Sequence, residues 1–254
     1  MSLLETTAVS KRFGGLTAVN EVDLKLGQNE ILAVIGPNGA GKTTFFNCIT
    51  GVLPVTSGKV MFDGMDITDE KPWTIARLGI SRTYQNIRLF GKATVLDNVR
   101  IGHHKHIRSG FWASLLKTPA MRAEERAITE RCREILEFVG LTHNLTDLAE
   151  NLSYGDQRRL EIARVLAMKP KVVLLDEPTA GMNPDETLRT CALIESIRDM
   201  GVSILIIEHD MNVVMGISDR IVVLNYGAKI AEGTPEEIRG NEQVIEAYLG
   251  KEGE

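Results

Sequence analysis

Cysteine is scarce in this 254-residue chain: Cys48, Cys132 and Cys191 are far apart, odd in number and outside any metal-ligand spacing. That excludes a disulfide framework and a structural zinc site, and fits a reducing cytosol and ordinary packing. No apolar run approaches the roughly 20 residues that cross a bilayer, so a membrane role has to come through a partner. The first seven residues lack a basic flank followed by an apolar stretch and do not read as a secretory signal. A basic excess is missing too. Lys and Arg total 29 against 34 Asp and Glu, for a net charge of −5, which argues against a surface built for nucleic acid. Internal repeats and low-complexity segments are absent. With 43% hydrophobic and 25% charged residues the composition is globular, and the length suits one large domain or a core with a smaller lobe.

What is present is organised around Gly36-Pro37-Asn38-Gly39-Ala40-Gly41-Lys42-Thr43-Thr44, a full match to the phosphate-loop pattern G-x-x-x-x-G-K-[ST]. Its glycines, Gly36, Gly39 and Gly41, let backbone N–H groups turn inward and cradle phosphate oxygens at a helix start. Lys42 is placed to reach the β- and γ-phosphates and the Thr43 hydroxyl to ligate Mg²⁺. The apolar run 30–35 predicts a buried strand leading in, and residues 43–50 a helix leading out, which is the confirming arrangement.

Upstream, residues 3–9 and 18–26 alternate as an antiparallel pair around Gly14-Gly15, with Phe13 in the turn. Its ring either stacks on a nucleotide base or packs on the core. Downstream, residues 58–64 predict a strand and turn, 73–78 a short helix and 80–84 a strand. That strand runs into Gln85-Asn86-Ile87-Arg88-Leu89-Phe90, a loop of the kind that often carries function. Ile87, Leu89 and Phe90 either line a groove for a partner helix or fold back beneath the second lobe.

Residues 94–139 turn helical and form the candidate second lobe, ending in a long amphipathic helix from 121. The cluster His103-His104-Lys105-His106 is a weak metal candidate beside the reading as a solvated loop. Phe111-Trp112 with Leu115-Leu116 packs within the lobe or faces a partner. Leu152-Ser153-Tyr154-Gly155-Asp156-Gln157 opens a further helix, in which Ser153 and Gly155 make a second anion site or a plain N-cap. One chain with one nucleotide loop has no evident use for that second site. Two chains face to face have.

Val172-Val173-Leu174-Leu175-Asp176-Glu177 reads as a strand buried on both faces and ending in two acids. Asp176 suits a Mg²⁺-holding role, which leaves Glu177 to polarise water aimed at the γ-phosphate. Asn183-Pro184 starts a helix. Residues 202–207 form another buried strand, whose end brings His209 to the same sheet edge as Glu177 and Gln85, where it can contact a γ-phosphate. Residues 220–233 make a last hairpin, and Thr234-Pro235-Glu236-Glu237 opens a terminal helix with a capping box.

Together these residues resemble the ATP-binding cassette (ABC) family of ATPases over nearly the whole chain. The resemblance implies an α/β fold: a P-loop NTPase core with a mainly parallel sheet, an N-terminal antiparallel β region and a helical subdomain. The core takes residues 1–93 and 168–254, and the helical subdomain 94–167. It further implies that Phe13 stacks on adenine, that residues 36–44, including Asn38 and Thr44, bind ATP, and that Gln85 senses Mg²⁺ and the membrane partner. Ser153 and Gly155 belong to the signature motif, Asp176 and Glu177 to the Walker B strand with its catalytic carboxylate, and His209 is the switch histidine. Two places depart from the family pattern. The signature usually reads Leu-Ser-Gly-Gly-Gln, but here Tyr154 and Asp156 take its third and fifth positions, and the loop after Glu177 ends in Asn183 rather than Asp. These departures, with the insertion near residues 103–118, are similar to the ATP-binding subunits of branched-chain amino acid importers.

The expectation is therefore an ATPase that dimerises on ATP, with itself or with a second ABC subunit, at the inner face of the cell membrane. It would drive transmembrane permease subunits and, through them, serve a substrate-binding protein. The alternatives are an ABC subunit for another cargo such as urea or lipopolysaccharide, a soluble ABC protein acting on ribosomes or DNA, and a small-molecule kinase using the same loop.

Overall fold

The computed structural model describes residues 2–103 and 119–249. The expectations placed on His104, His106, Phe111, Trp112, Leu115 and Leu116 lie outside the described residues. The chain divides into two compact units between Arg82 and Thr83 and again between Pro170 and Lys171. Residues 83–93, which the sequence assigns to the core, fall in the helical unit, where side chains of that unit bind their backbone.

Strands β1 (Leu4–Phe13) and β2 (Leu16–Leu26) pair antiparallel. With β4 (Ser57–Phe62) and β5 (Met65–Asp66) they form a sheet in the order β2-β1-β4-β5. The period-2 pattern decides which face is covered: Val22, Leu24 and Leu26 are buried while Asp23 and Lys25 are exposed. Strand β3 (Ile31–Ile35) is buried at every position and feeds the phosphate loop and helix α1 (Lys42–Ile49). Phe45 and Phe46 of α1 are fully buried, which stabilises the helix by about 1.5–3 kcal/mol each. Helix α2 (Pro72–Leu78) starts on proline, whose missing N–H costs nothing there, and leads to β6 (Ile80–Arg82).

The helical unit contains α3 (Val95–His103), α4 (Pro119–Phe138) and α5 (Tyr154–Leu166). Thr94 starts α3 by accepting from the Asp97 N–H at 3.1 Å. Val95 and Val99 of α3, Cys132 and Leu136 of α4, and Leu160 and Ala163 of α5 are buried at the three- and four-residue spacings of helix faces. The backbones of α3 and α5 touch closely at Gly102, where a Cβ would lie 2.3 Å from the Arg164 carbonyl oxygen.

Back in the first unit, β7 (Val172–Asp176) and β8 (Ser203–Ile207) are buried at every position. Helices α6 (Pro184–Asp199) and α7 (Met211–Ile217) follow them. Strands β9 (Arg220–Asn225) and β10 (Ala228–Gly233) form a hairpin through Tyr226 and Gly227, both at positive φ as a tight two-residue turn requires. Helices α8 (Pro235–Arg239) and α9 (Glu242–Leu249) end the described chain. The second sheet runs β10-β9-β3-β8-β7-β6, parallel except for β10. Its parallel strands deliver the phosphate loop, Glu177 and His209 to one edge, the carboxyl edge at which α/β sheets bind ligands. Among the described residues no helix is long and apolar enough to cross a membrane.

Candidate active site

The phosphate loop is a glycine-dependent turn held from behind by backbone. A Cβ on Gly36 would lie 2.0 Å from the Leu224 carbonyl oxygen, and one on Gly41 2.3 Å from that of Ala18, so neither position admits a side chain. The loop closes on Ala40 N–H to Pro37 O at 3.1 Å, and Gly227 N–H donates to Ala40 O at 3.1 Å. No side chain caps the start of α1 and its first turn holds no acid, as suits a helix start that receives an anion. Lys42 is buried, and its Nζ donates to the carbonyls of Gly36 at 2.6 Å and Pro37 at 3.1 Å. Asn38, Gly39 and Thr43 are exposed and Thr44 half-buried. Phe13 is 46% exposed, with Lys11 Nζ 5.1 Å from its ring centroid, so the ring is an accessible face rather than core packing.

At the same sheet edge, Asp176 closes β7 in a buried ion pair with Arg82, 3.1 Å from Nη2 to Oδ2. The next residue, Glu177, adopts φ +51, a conformation that non-glycine residues hold only when the surroundings impose it. Its N–H donates to Ile207 O at 2.9 Å, fixing the carboxylate beside the end of β8. His209 Nδ1 stands 3.9 Å from Glu177 Oε1 and equally 3.9 Å from Glu208 Oε2, with the imidazole largely exposed. Glu208 is fully buried and accepts from Thr179 N–H at 3.0 Å, Thr179 Oγ1 at 2.6 Å and His209 N–H at 3.1 Å. That carboxylate ties the loop after Glu177 to the segment carrying His209.

Gln85, Ser153 and Gly155 all belong to the helical unit. Ser153 is the N-cap of α5, accepting from Asp156 N–H at 3.2 Å, and Gly155 is buried in the first turn. Both unusual signature residues have partners: Asp156 pairs with Arg159, and the Tyr154 hydroxyl accepts from Arg158 at 3.1 Å. Asn183 forms a capping box with Glu186, for which an Asn oxygen serves as well as a carboxylate. Around Gln85, which is exposed, Ile87 and Leu89 are half-buried while Phe90 stays 53% exposed. His103 is buried at the end of α3, and among the described residues no group of three His, Cys, Asp or Glu side chains could hold a metal ion.

Sequence reasoning missed Arg82, Glu208 with Thr179, and the Arg158–Glu161 pair. The fully buried Glu161 was visible only as an acid on the apolar side of a helix; desolvation raises its pKa, and the adjacent Arg158 opposes the rise.

Comparison with known proteins follows the same lines. The family model described as ABC transporter matches residues 19–180, and one described as branched-chain amino acid ATP-binding cassette transporter matches residues 228–254. The chain is 49% identical over 250 residues to the high-affinity branched-chain amino acid transport ATP-binding protein BraF of Pseudomonas aeruginosa, covering 98% of each. It is 34% identical over 252 residues to the lipopolysaccharide export system ATP-binding protein LptB of Escherichia coli, covering 99% of each. Among solved structures, a nucleotide-free ATP-binding cassette from an ABC transporter matches with TM-score 0.86 at 33% identity, covering 98% of this chain and 100% of that one. An ABC transporter cassette in its ADP conformation matches with TM-score 0.85 at 32% identity, covering 98% and 99%. With its phosphate loop, paired acids and helix-start serine accounted for, the chain belongs to the ABC transporter family, as an ATP-binding cassette that hydrolyses ATP.

Proposed function

We propose that this chain is the ATPase subunit of an importer of branched-chain amino acids, dimerising on ATP at the inner face of the membrane beneath permease subunits that a substrate-binding protein supplies. The observation that carries the cargo is the likeness to the branched-chain amino acid subunits along the whole chain, including its last stretch, residues 228–254. Lipopolysaccharide export is favoured less, because the likeness to that subunit is weaker.

Phe13 offers an open aromatic face for adenine. Asn38, Thr44 and the amides of the glycine loop receive phosphate oxygens, and Lys42 exchanges its carbonyl contacts for them. The oxygen pair of the Thr43 hydroxyl and Asp176 carboxylate, with Gln85 as a further donor, suits Mg²⁺, which takes few protein ligands and completes its shell from water and phosphates. Bound there, the ion would neutralise charge on the β- and γ-oxygens. Glu177 takes a proton from water as its oxygen bonds to the γ-phosphorus and the bond to the bridging oxygen of ADP breaks. His209 donates to a γ-phosphate oxygen. The helix start at Ser153 and Gly155 closes on the triphosphate held by another copy or by a second ABC subunit.

The test is to purify the tagged chain from detergent-solubilised membranes and rebuild the recovered assembly in vesicles. The expected result is a permease in the eluate and ATP-dependent uptake of leucine, isoleucine or valine. Recovery without a membrane protein, or uptake of none of these, would overturn the reading.

A further inference from the structure

The loop carrying Gln85 has no ladder of its own, yet its backbone is closely satisfied within the helical unit. Arg158 is 3% exposed; its Nη1 donates to the Tyr84 carbonyl at 2.7 Å, and its Nη2 donates to the Gln85 carbonyl and, at 3.1 Å, to the Tyr154 hydroxyl oxygen. Glu161 accepts from Tyr84 N–H at 3.4 Å and from Arg158 Nη1 at 3.3 Å. Arg164 donates to the Arg88 carbonyl. Positions 154, 158, 161 and 164 share one face of α5, so a single helix face supplies the partners that a loop backbone must otherwise find in water.

The guanidinium is a rigid planar fork. The two N–H bonds of Nη2 go to Gln85 and to Tyr154, so a tilt that follows the tyrosine moves the donor holding Gln85. The glycine usual at this signature position has no atom that could make the contact. We propose that Arg158 is a positioning residue for Gln85, and that the Tyr154 hydroxyl is the contact through which the segment bearing Ser153 and Gly155 sets the geometry of the Gln85 loop. The inference rests on the roles given above to Gln85 and Ser153, and it adds a route between them inside one chain.

The test is Tyr154→Phe in the full chain, which removes the hydroxyl and leaves the ring in place near the guanidinium, now 5.5 Å from its centroid. Hydrogen exchange of the backbone amides of residues 84–88 is expected to quicken severalfold, with other peptides unchanged. Turnover is expected to fall about 10- to 100-fold, the loss of one hydrogen bond to a charged group, with KM for ATP within about twofold. Tyr154→Phe added to Gln85→Ala should lower turnover no further, because the two changes act on one element. Unaltered exchange at residues 84–88, or rate losses that multiply in the double variant, would overturn the proposal. If Gln85→Ala alone leaves turnover intact, the role given to Gln85 fails, and the exchange measurement still decides whether Tyr154 holds the loop.

Discussion

Arg82 and Asp176 meet in a buried ion pair, 3.1 Å from Nη2 to Oδ2, with side chains only 6% and 2% exposed. The other terminal nitrogen of the guanidinium, Nη1, donates to Asn47 Oδ1 at 2.7 Å and Thr50 Oγ1 at 3.2 Å. One side chain thus ties the ends of β6 and β7 to α1, the helix that opens with Lys42 and Thr43.

Removing the cation from that pair should cost more than the pair itself is worth, because the carboxylate stays buried. Arg82→Met is expected to destabilise the protein by about 3–5 kcal/mol, read from the midpoint of urea unfolding. A loss under about 1 kcal/mol would show that the pair is not holding the edge together.

Much of the candidate site was legible because it is written locally. The phosphate loop, the acids after the apolar run 172–175 and the Ser153 helix start each lie within a few consecutive residues, where spacing fixes the chemistry. Arg82, Thr179 with Glu208, and the hold of Arg158 on the Tyr84 and Gln85 carbonyls were silent because the partners lie tens of residues apart, and a lone buried charge on a helix or strand looks like any surface charge in sequence. The same reason moved the boundary of the helical unit: residues 83–93 look like the tail of a core strand until Arg158, Arg164 and Asn98 are seen binding their backbone. The strands and most helices were readable from period 2, apolar runs and caps, since burial there follows the pattern directly.

The three cysteines carry a pH prediction. Burial raises the thiols of Cys48, Cys132 and Cys191 from the ordinary value of 9.0 to about 11. A folded thiol raised in this way holds its proton more tightly than the unfolded one. Its contribution to stability is complete below pH 9.0 and is lost as pH rises toward about 11. Iodoacetamide at pH 8 should label the buried Cys48 and Cys132 of the native protein far more slowly than a free thiol and reach them only after unfolding, while the half-buried Cys191 is reached first. Rapid native labelling of Cys48 or Cys132 would contradict the burial account.

The proposed composite site predicts complementation. Lys42→Ala and Ser153→Arg should each be inactive alone, and mixing them should restore part of the turnover, since one site of a mixed dimer keeps both of its intact halves. Turnover strictly first-order in protein at every dilution, with no recovery on mixing, would place the whole reaction within one chain.

The most direct test of the account is turnover and assembly of Glu177→Gln with ATP and Mg²⁺. The amide keeps the size and hydrogen bonding of the side chain and loses its basicity. Hydrolysis should fall about 10²- to 10⁴-fold, equivalent to about 3–5 kcal/mol of barrier, with ATP affinity retained and a stable ATP-bound dimer accumulating on gel filtration. Near-normal hydrolysis by this variant, with no trapped dimer, would contradict the assignment of Glu177 as the group that activates water.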